Sequence, residues 1–301
     1  MNTDIDTKPL LSKAMLARVK VHFTHLRRID RKVTREIAIA NDVDPEVAGQ
    51  YTKCLVPHSE LKPLQTLASA VRTWHNTNTL PWDDSNNRLL PCANYDRYVE
   101  GLRERREKFM TAVNHFVNET YPRLRAQAHL VLHGMYDPAD YPSAEQLKYK
   151  FGVDRYFAPI PDSNDLRINS IGDETIQEIK ATLDQNVNDS FERAMRGAWE
   201  RLHEVVKNMV DRLRETDSSF HSSLIGNIKD VCELLPALNV TGSLELENMR
   251  KKVLELCSYD RETLLANESD RLAAADHAND LLDRMSAYTG TISSIEDETD
   301  E

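Results

Sequence analysis

Glycine is scarce in this chain, 9 residues in 301, well under the roughly 7% usual for soluble proteins. No G-x-G-x-x-G and no G-x-x-x-x-G-K-[ST] occurs. A dinucleotide-binding turn and a phosphate-cradling P-loop are thereby excluded as local motifs. Glycine-punctuated all-β folds become poor candidates as well. The four cysteines, Cys54, Cys92, Cys232 and Cys257, lie far apart and form no C-x-x-C. Neither a zinc knuckle nor a redox dithiol is signalled, and four free buried thiols are expected. No apolar run approaches 18 residues, so no membrane span is expected. The first residues lack the charged start and apolar stretch of a secretory signal. A cytosolic protein is the expectation.

What the chain has instead is charge: 29% charged and 40% hydrophobic residues, net −11. A polar, charge-rich, glycine-poor chain suits long amphipathic helices. The charge is uneven. Residues 11–40 carry eight basic side chains against Asp30 and Glu36, while residues 260–301 carry three arginines against twelve acids. Five of the last six residues are acidic. Opposite charge at the two ends is the most informative compositional feature.

The apolar pattern predicts a mainly α fold: long amphipathic helices in a bundle, with a small β-hairpin or minor sheet. Alternation at Ala17, Val19, Val21 and Phe23 predicts a short strand over 17–24. Asp30 is placed to cap a helix over 31–41, with Val33, Ile37 and Ala40 on one side. Ser59 is placed to cap a helix over 60–75, with Leu61, Leu64, Leu67, Ala68 and Val71 inside. The stretch 73–91 holds two tryptophans, four asparagines and two prolines, and reads as a loop too polar for a strand pair. Asn94 can cap a long helix with Tyr95, Tyr98, Leu102, Phe109, Val113 and Phe116 as its stripe. Arg105 and Arg106 interrupt that stripe. Tyr121-Pro122 should kink or break it, and Gly134 should end the next segment.

Ser143 to Gln146 is a capping box. Residues 151–171 read as a β-hairpin, or two short strands around the Pro161–Asp165 turn, pairing with the strand near residue 20. From Asp173 the apolar residues recur at steps of three and four for 41 residues, averaging about 3.7, above the 3.5 of a left-handed coiled coil. This predicts a rod of roughly 60 Å. Its C-terminal half has a widened apolar stripe and should meet more than one neighbour. A helix from Asp217 ending at Pro236 and another capped at Thr241-Gly242-Ser243 should follow. An acidic helix over 261–288 has a thin leucine face, so loose docking, or docking only on a partner, is expected. The segments divide as 1–10, a basic α+β region 11–91, a long-helix region 92–257, and an acidic helix and tail 258–301.

Three clusters carry functional readings. His22, Phe23, Arg27, Arg28 and Arg31 place basic residues beside an aromatic, as single-stranded nucleic acid requires; an ordinary positive surface answering the acidic tail is the competing reading. Arg72, Trp74, His75, Asn76, Asn78 and Trp82 form the densest group of stacking and hydrogen-bonding side chains. With Asp83 and Asp84 nearby, a His/Asp base and orienter is conceivable, but no motif supplies a nucleophile and a rigid structural loop competes. Arg105 and Arg106 offer an anion groove or a locally paired helix face. His129 and His133 share a helix face, yet lack a third ligand and H-E-x-x-H. No metal or cofactor is assigned, and catalytic residues are none; a metal-dependent nuclease is a minor option.

The residues Arg72-Thr73-Trp74-His75-Asn76-Thr77-Asn78-Thr79-Leu80-Pro81-Trp82, Arg88-Leu89-Leu90-Pro91, Ala158-Pro159-Ile160-Pro161-Asp162, Arg201-Leu202-His203-Glu204-Val205-Val206 and Cys232-Glu233-Leu234-Leu235-Pro236 resemble a family of uncharacterised tailed-bacteriophage proteins. Tyr95 and Tyr141-Pro142-Ser143 fit the same pattern. The resemblance covers about residues 18–257 and leaves the acidic tail outside. It implies a phage gene expressed in the cytoplasm of the infected bacterium, and it carries no catalytic residues. The resulting expectation is a non-enzymatic helical interaction protein, able to form a homo-oligomer and acting on phage or host proteins. The alternative is a single-stranded DNA or RNA binder that uses the basic N-terminal region, modulated by the acidic tail.

Overall fold

The computed structural model describes residues 9–44, 46–166, 172–215, 223–259, 264 and 267–289. The fold is mainly α with a minor sheet. The chain divides into two compact, discontinuous units: Met1–Arg18, Asn76–Asp96 and Phe157–Glu301 form the first, Val19–His75 and Arg97–Tyr156 the second. A four-stranded sheet has the order β4-β5-β1-β6, from β1 (Ala14–His22), β4 (Leu80–Pro81), β5 (Arg88–Pro91) and β6 (Gly152–Ala158). The strand foreseen near residue 20 is β1, and its sheet neighbour is β6, as the hairpin reading required. Strand β6 supplies the first arm of the expected hairpin, and a 3-10 turn at Ser163–Asp165 stands in the Pro/Asp/Asn stretch expected to turn the chain. Most of the hairpin's proposed second strand falls at 167–171, outside the described residues.

In the first unit the spine is α6 (Asp173–Arg214), the long helix foreseen from the apolar steps. Its widened half buries Met195, Trp199, Val206 and Val210 in addition to the main stripe. That extra surface is covered by several neighbours: α7 (Ser223–Leu238), α8 (Leu244–Glu255) and α9 (Glu268–Thr289). Loose docking of the acidic helix is a correction. Helix α9 packs along α6 through Ala274, Ala275, Ala278, Leu281 and Met285, and Tyr288 stacks on Trp199 at 4.3 Å between ring centroids. Small alanines let two backbones approach closely, a contact that a search for leucines overlooks. The tail after residue 289 lies outside the described residues.

Pro236 does not end α7, which runs to Leu238. A proline withholds the N–H that would bond the carbonyl four residues earlier. Here that carbonyl belongs to Cys232, and it accepts from the Arg250 guanidinium at 3.3 Å. The start foreseen at Asp217 lies outside the described residues. Ser243 caps α8 as expected, accepting from the Leu246 amide.

The stretch 73–91 is also corrected. Helix α2 (His58–Asn78) starts before Ser59 and continues through the asparagines. A strand pair follows, with Leu80 opposite Leu89 and Pro81 opposite Arg88. The turn between them is built by Asp83, whose carboxylate accepts from the Ser85 and Asn87 amides and from the Asn87 side chain. Leucines 80, 89 and 90 are fully buried, so three apolar residues sufficed to hold strands that the polar average concealed.

In the second unit, α1 (Arg31–Ala40) is capped by Asp30 as foreseen. Its inner face is Ala38 rather than Ile37 or Ala40, which are exposed. The strands β2 (Arg27–Ile29) and β3 (Thr52–Cys54) form a separate antiparallel pair, with Arg28 opposite Lys53. Helix α3 (Tyr95–His115) buries Tyr98, Leu102, Phe109 and Val113, but leaves Tyr95 exposed. Pro122 neither breaks nor ends the rod. One π turn over Phe116–Thr120 widens the helix ahead of it, and α4 (Tyr121–Leu132) continues; such a bulge accommodates a proline without a full break. The left-handed residue after α4 is His133, not Gly134. The capping box at Ser143–Gln146 has both bonds and opens α5 (Ala144–Lys148).

Gly101 of α3 faces the Trp74 indole so closely that an added Cβ would sit 2.2 Å from the ring. In a free helix Gly→Ala stabilises by about 1 kcal/mol. Gly101→Ala is expected to reverse that sign and cost about 2 kcal/mol, because the indole is held and must shift. Urea unfolding followed by fluorescence checks it.

Candidate functional site

The Trp/Asn motif is a structural device. The Trp74 indole N–H donates to the Tyr98 carbonyl at 3.0 Å, and the Arg105 guanidinium lies 3.8 Å from its ring centroid. Arg105 also donates to the Gly101 carbonyl. The hole in the α3 stripe is thus filled by a cation on an aromatic face. Arg106 is exposed. His75 is buried, with Nδ1 2.9 Å from the Tyr98 hydroxyl. Trp82 is buried edge-on against Phe191. Asn78 is buried, and its carbonyl accepts from the Asn94 amide at 2.8 Å. Arg72 donates to the Val21 carbonyl at 3.2 Å.

The end of α2 explains two more motifs. The last carbonyls of a helix have no partner within it, and they carry the negative end of its dipole. Arg201 of α6 donates to the carbonyls of Asn76, Thr77 and Thr79. Arg88 of β5 donates to the Asn76 and Thr79 carbonyls and to the Thr79 hydroxyl. Burial, with the like charge of Arg88 beside it, pushes the Arg201 pKa down to about 10. It is still charged at neutral pH. The carbonyls offset the cost of desolvating it, and these arginines serve the fold.

The N-terminal basic cluster divides. His22 bonds Asp154 at 2.8 Å, and Phe23 packs edge-on against Phe151. Neither borders the cleft that the arginines line. Arg27, Arg28 and Arg31 line it, a cleft of about 590 Å³ shared with Asp30, Lys53, Asp137 and Asp140. The chain enters it through Leu26, which is buried yet holds φ at +47°. A bulky residue in that region is uncommon and strained. Thr24 and Leu55 hold it by bonds to both sides of its peptide.

Lys53 organises this cleft. It is 6% exposed, and its ammonium meets Asp140 at 2.8 Å, Asp30 at 3.1 Å and the Met135 carbonyl at 2.7 Å. The other Asp140 oxygen takes Arg28 at 3.3 Å. Like charges opposite each other on paired strands repel; here Asp140 bridges Arg28 and Lys53 and relieves that repulsion. Burial works against the Lys53 ammonium, but its bonds to Asp140 and Asp30 outweigh it and hold its pKa above the ordinary 10.5. The Val33 amide, then Lys53, hold Asp30 below its ordinary 3.8. Arg27, Arg31 and Arg35 have no carboxylate partner among the described residues.

The sequence-nominated residues therefore do not line one groove: Trp74 and Arg105 are packed on each other and neither borders the Arg27–Arg31 cleft. Sequence reasoning missed Lys53, Asp140 and Arg201. Arg201 stands three residues after Ala198 beside the α6 stripe, a detectable anomaly; Lys53 had no local signal. Cys54 and Cys92 are exposed, against the expectation of four buried thiols. Among the described residues no group of three or more His, Cys, Asp or Glu is placed to hold a metal ion, and no helix is long and apolar enough to cross a membrane. Comparison of the chain with protein-family models, curated proteins and solved structures finds no match.

Proposed function

We propose that this chain is a phage-encoded, non-enzymatic interaction protein that acts on phage or host proteins in the infected cell. The reading assigns its contact face to the excursion from β2 through α1 to β3. The observation that carries it is a run of exposed aliphatic side chains in that one excursion. Ile29, Ile37, Ile39, Val43 and Val47 are all exposed, Ile39 and Val47 at 79% each. Apolar side chains gathered on a surface and rimmed by charge mark contact sites. Here the rim includes Arg31 and Arg35, which have no carboxylate partner among the described residues. The complementary partner is an acidic protein surface that also offers aliphatic side chains.

A photo-crosslinker placed at position 39 or 47 of the full chain, in host cells, tests this. A discrete adduct is expected from both positions, lost when Arg31→Glu and Arg35→Glu are added. Position 130, an exposed leucine on α4, is the control, and equal labelling there removes the proposal. The unpartnered arginines favour nucleic acid as the second reading. In that case single-stranded probes would bind, affinity would fall steeply with salt, and deletion of residues 290–301 would tighten binding. In the excursion itself five exposed aliphatic side chains stand against one exposed ring, Tyr51, among the described residues, which weighs against it, because bases stack on rings.

A further inference from the structure

A second cleft in the same unit, of about 600 Å³, is lined by Thr24, Arg27, Arg28, Tyr141, Gln146, Tyr149 and Lys150 among others. That volume is typical of a small-ligand site. Its polar walls are biased toward donors. Arg27 and Lys150 have no carboxylate partner among the described residues. Gln146 spends its carbonyl oxygen on the Ser143 amide, which leaves its NH₂ free to donate. Thr24 accepts from the Leu26 amide and keeps its hydroxyl proton. The one carboxylate on the wall, Asp140, is already engaged by Lys53 and Arg28. Tyr141 is only 4% exposed, yet its hydroxyl has no hydrogen-bond partner. A buried hydroxyl left unsatisfied is costly, and this one is closed to the cleft, so it offers a ligand no donor. Tyr149, at the rim, is 89% exposed, an open ring face.

A donor-lined, cationic cleft with an open aromatic ring at its rim fits one ligand chemistry. We propose that it binds a nucleoside monophosphate. Arg27, Arg28 and Lys150 hold the phosphate, which needs cations and donors in number. Tyr149 stacks on the base. The Gln146 amide supplies a hydrogen bond to phosphate or sugar oxygens. The cleft shares Arg27 and Arg28 of β2 with the protein-contact excursion, but Ile39 and Val47 do not border it, so crosslinking from those two positions and the titration below read different residues.

Calorimetric titration of the full chain with AMP, ribose 5-phosphate and adenosine tests it. AMP is expected to saturate below about 1 mM, with ribose 5-phosphate and adenosine each at least tenfold weaker. Arg27→Glu or Lys150→Glu should weaken AMP at least tenfold, and Tyr149→Ala should erase the advantage of AMP over ribose 5-phosphate. Lys62→Glu, on α2 outside the cleft, should change neither. Tyr141→Phe, which removes the closed and unserved hydroxyl, should raise the Tm of the free protein by about 2 °C and leave AMP binding unchanged. No saturation by about 5 mM AMP overturns the site. Binding that Arg27→Glu leaves within twofold overturns it too. Equal affinity for AMP and ribose 5-phosphate overturns the assignment of a base.

Discussion

Arg201→Met is expected to destabilise the first unit by about 2 kcal/mol, the cost of leaving the carbonyls at the end of α2 without their charged donor. The guanidinium serves three of them, on Asn76, Thr77 and Thr79. Methionine matches the length of the stem and removes every donor, so the change isolates the bonds from the packing. Arg201→Lys should recover only part of the loss, because one ammonium cannot span the fork of a guanidinium. Arg88 shares two of the carbonyls, so Arg88→Met and Arg201→Met should not be additive. Urea unfolding, read through Trp82 and Trp199 of that unit with Trp74 replaced by phenylalanine, measures the effect. A loss under about 0.5 kcal/mol, the range of ordinary surface changes, would show that water replaces the arginine without penalty.

Lys53→Met is expected to cost about 3 kcal/mol in the second unit, because it strips the central cation from two carboxylates and a carbonyl. The pH dependence has a definite sign. Lys53 has a raised pKa, so its contribution is complete below the ordinary 10.5 and is lost as pH rises through the raised value. Asp30 has a lowered pKa, so its contribution is present above 3.8 and is lost as pH falls through the depressed value. The stability difference between the parent and Lys53→Met should therefore be flat through the neutral range. It should shrink toward acid below about pH 4 and toward alkali above about pH 10.5. Asp140→Asn combined with Lys53→Met should cost less than the sum of the two, as partners in one network do. Strict additivity would mean that Asp140 and Lys53 do not act together.

Elements held by their own local chemistry were legible in the chain. The Asp30 cap, the Ser143–Gln146 box, the Ser243 cap and the length of α6 depend on neighbours a few residues away, and each was read from sequence. The failures share one cause. The β4–β5 pair, the alanine face of α9, the passage of Pro122 through a π turn and the continuation past Pro236 are each decided by a group remote in sequence or by close packing. Asn76 to Trp82 drew attention because polar and aromatic residues of that density are rare in an idle linker. Their concentration was a true signal, but what it signalled was a helix end that two arginines cap.

Composition alone determined that this protein is built of long helices without a glycine cradle, because backbone freedom and apolar spacing are properties of the chain itself. Its uneven charge was equally plain. Which charges face solvent was a matter for the tertiary structure. Arg105, Arg201 and Lys53 are taken up by a ring, by carbonyls and by carboxylates from distant segments, while Arg27, Arg31 and Lys150 have no carboxylate partner among the described residues. A cation is available to a partner only when the fold brings no acceptor to it, and that depends on contacts that no run of adjacent residues encodes.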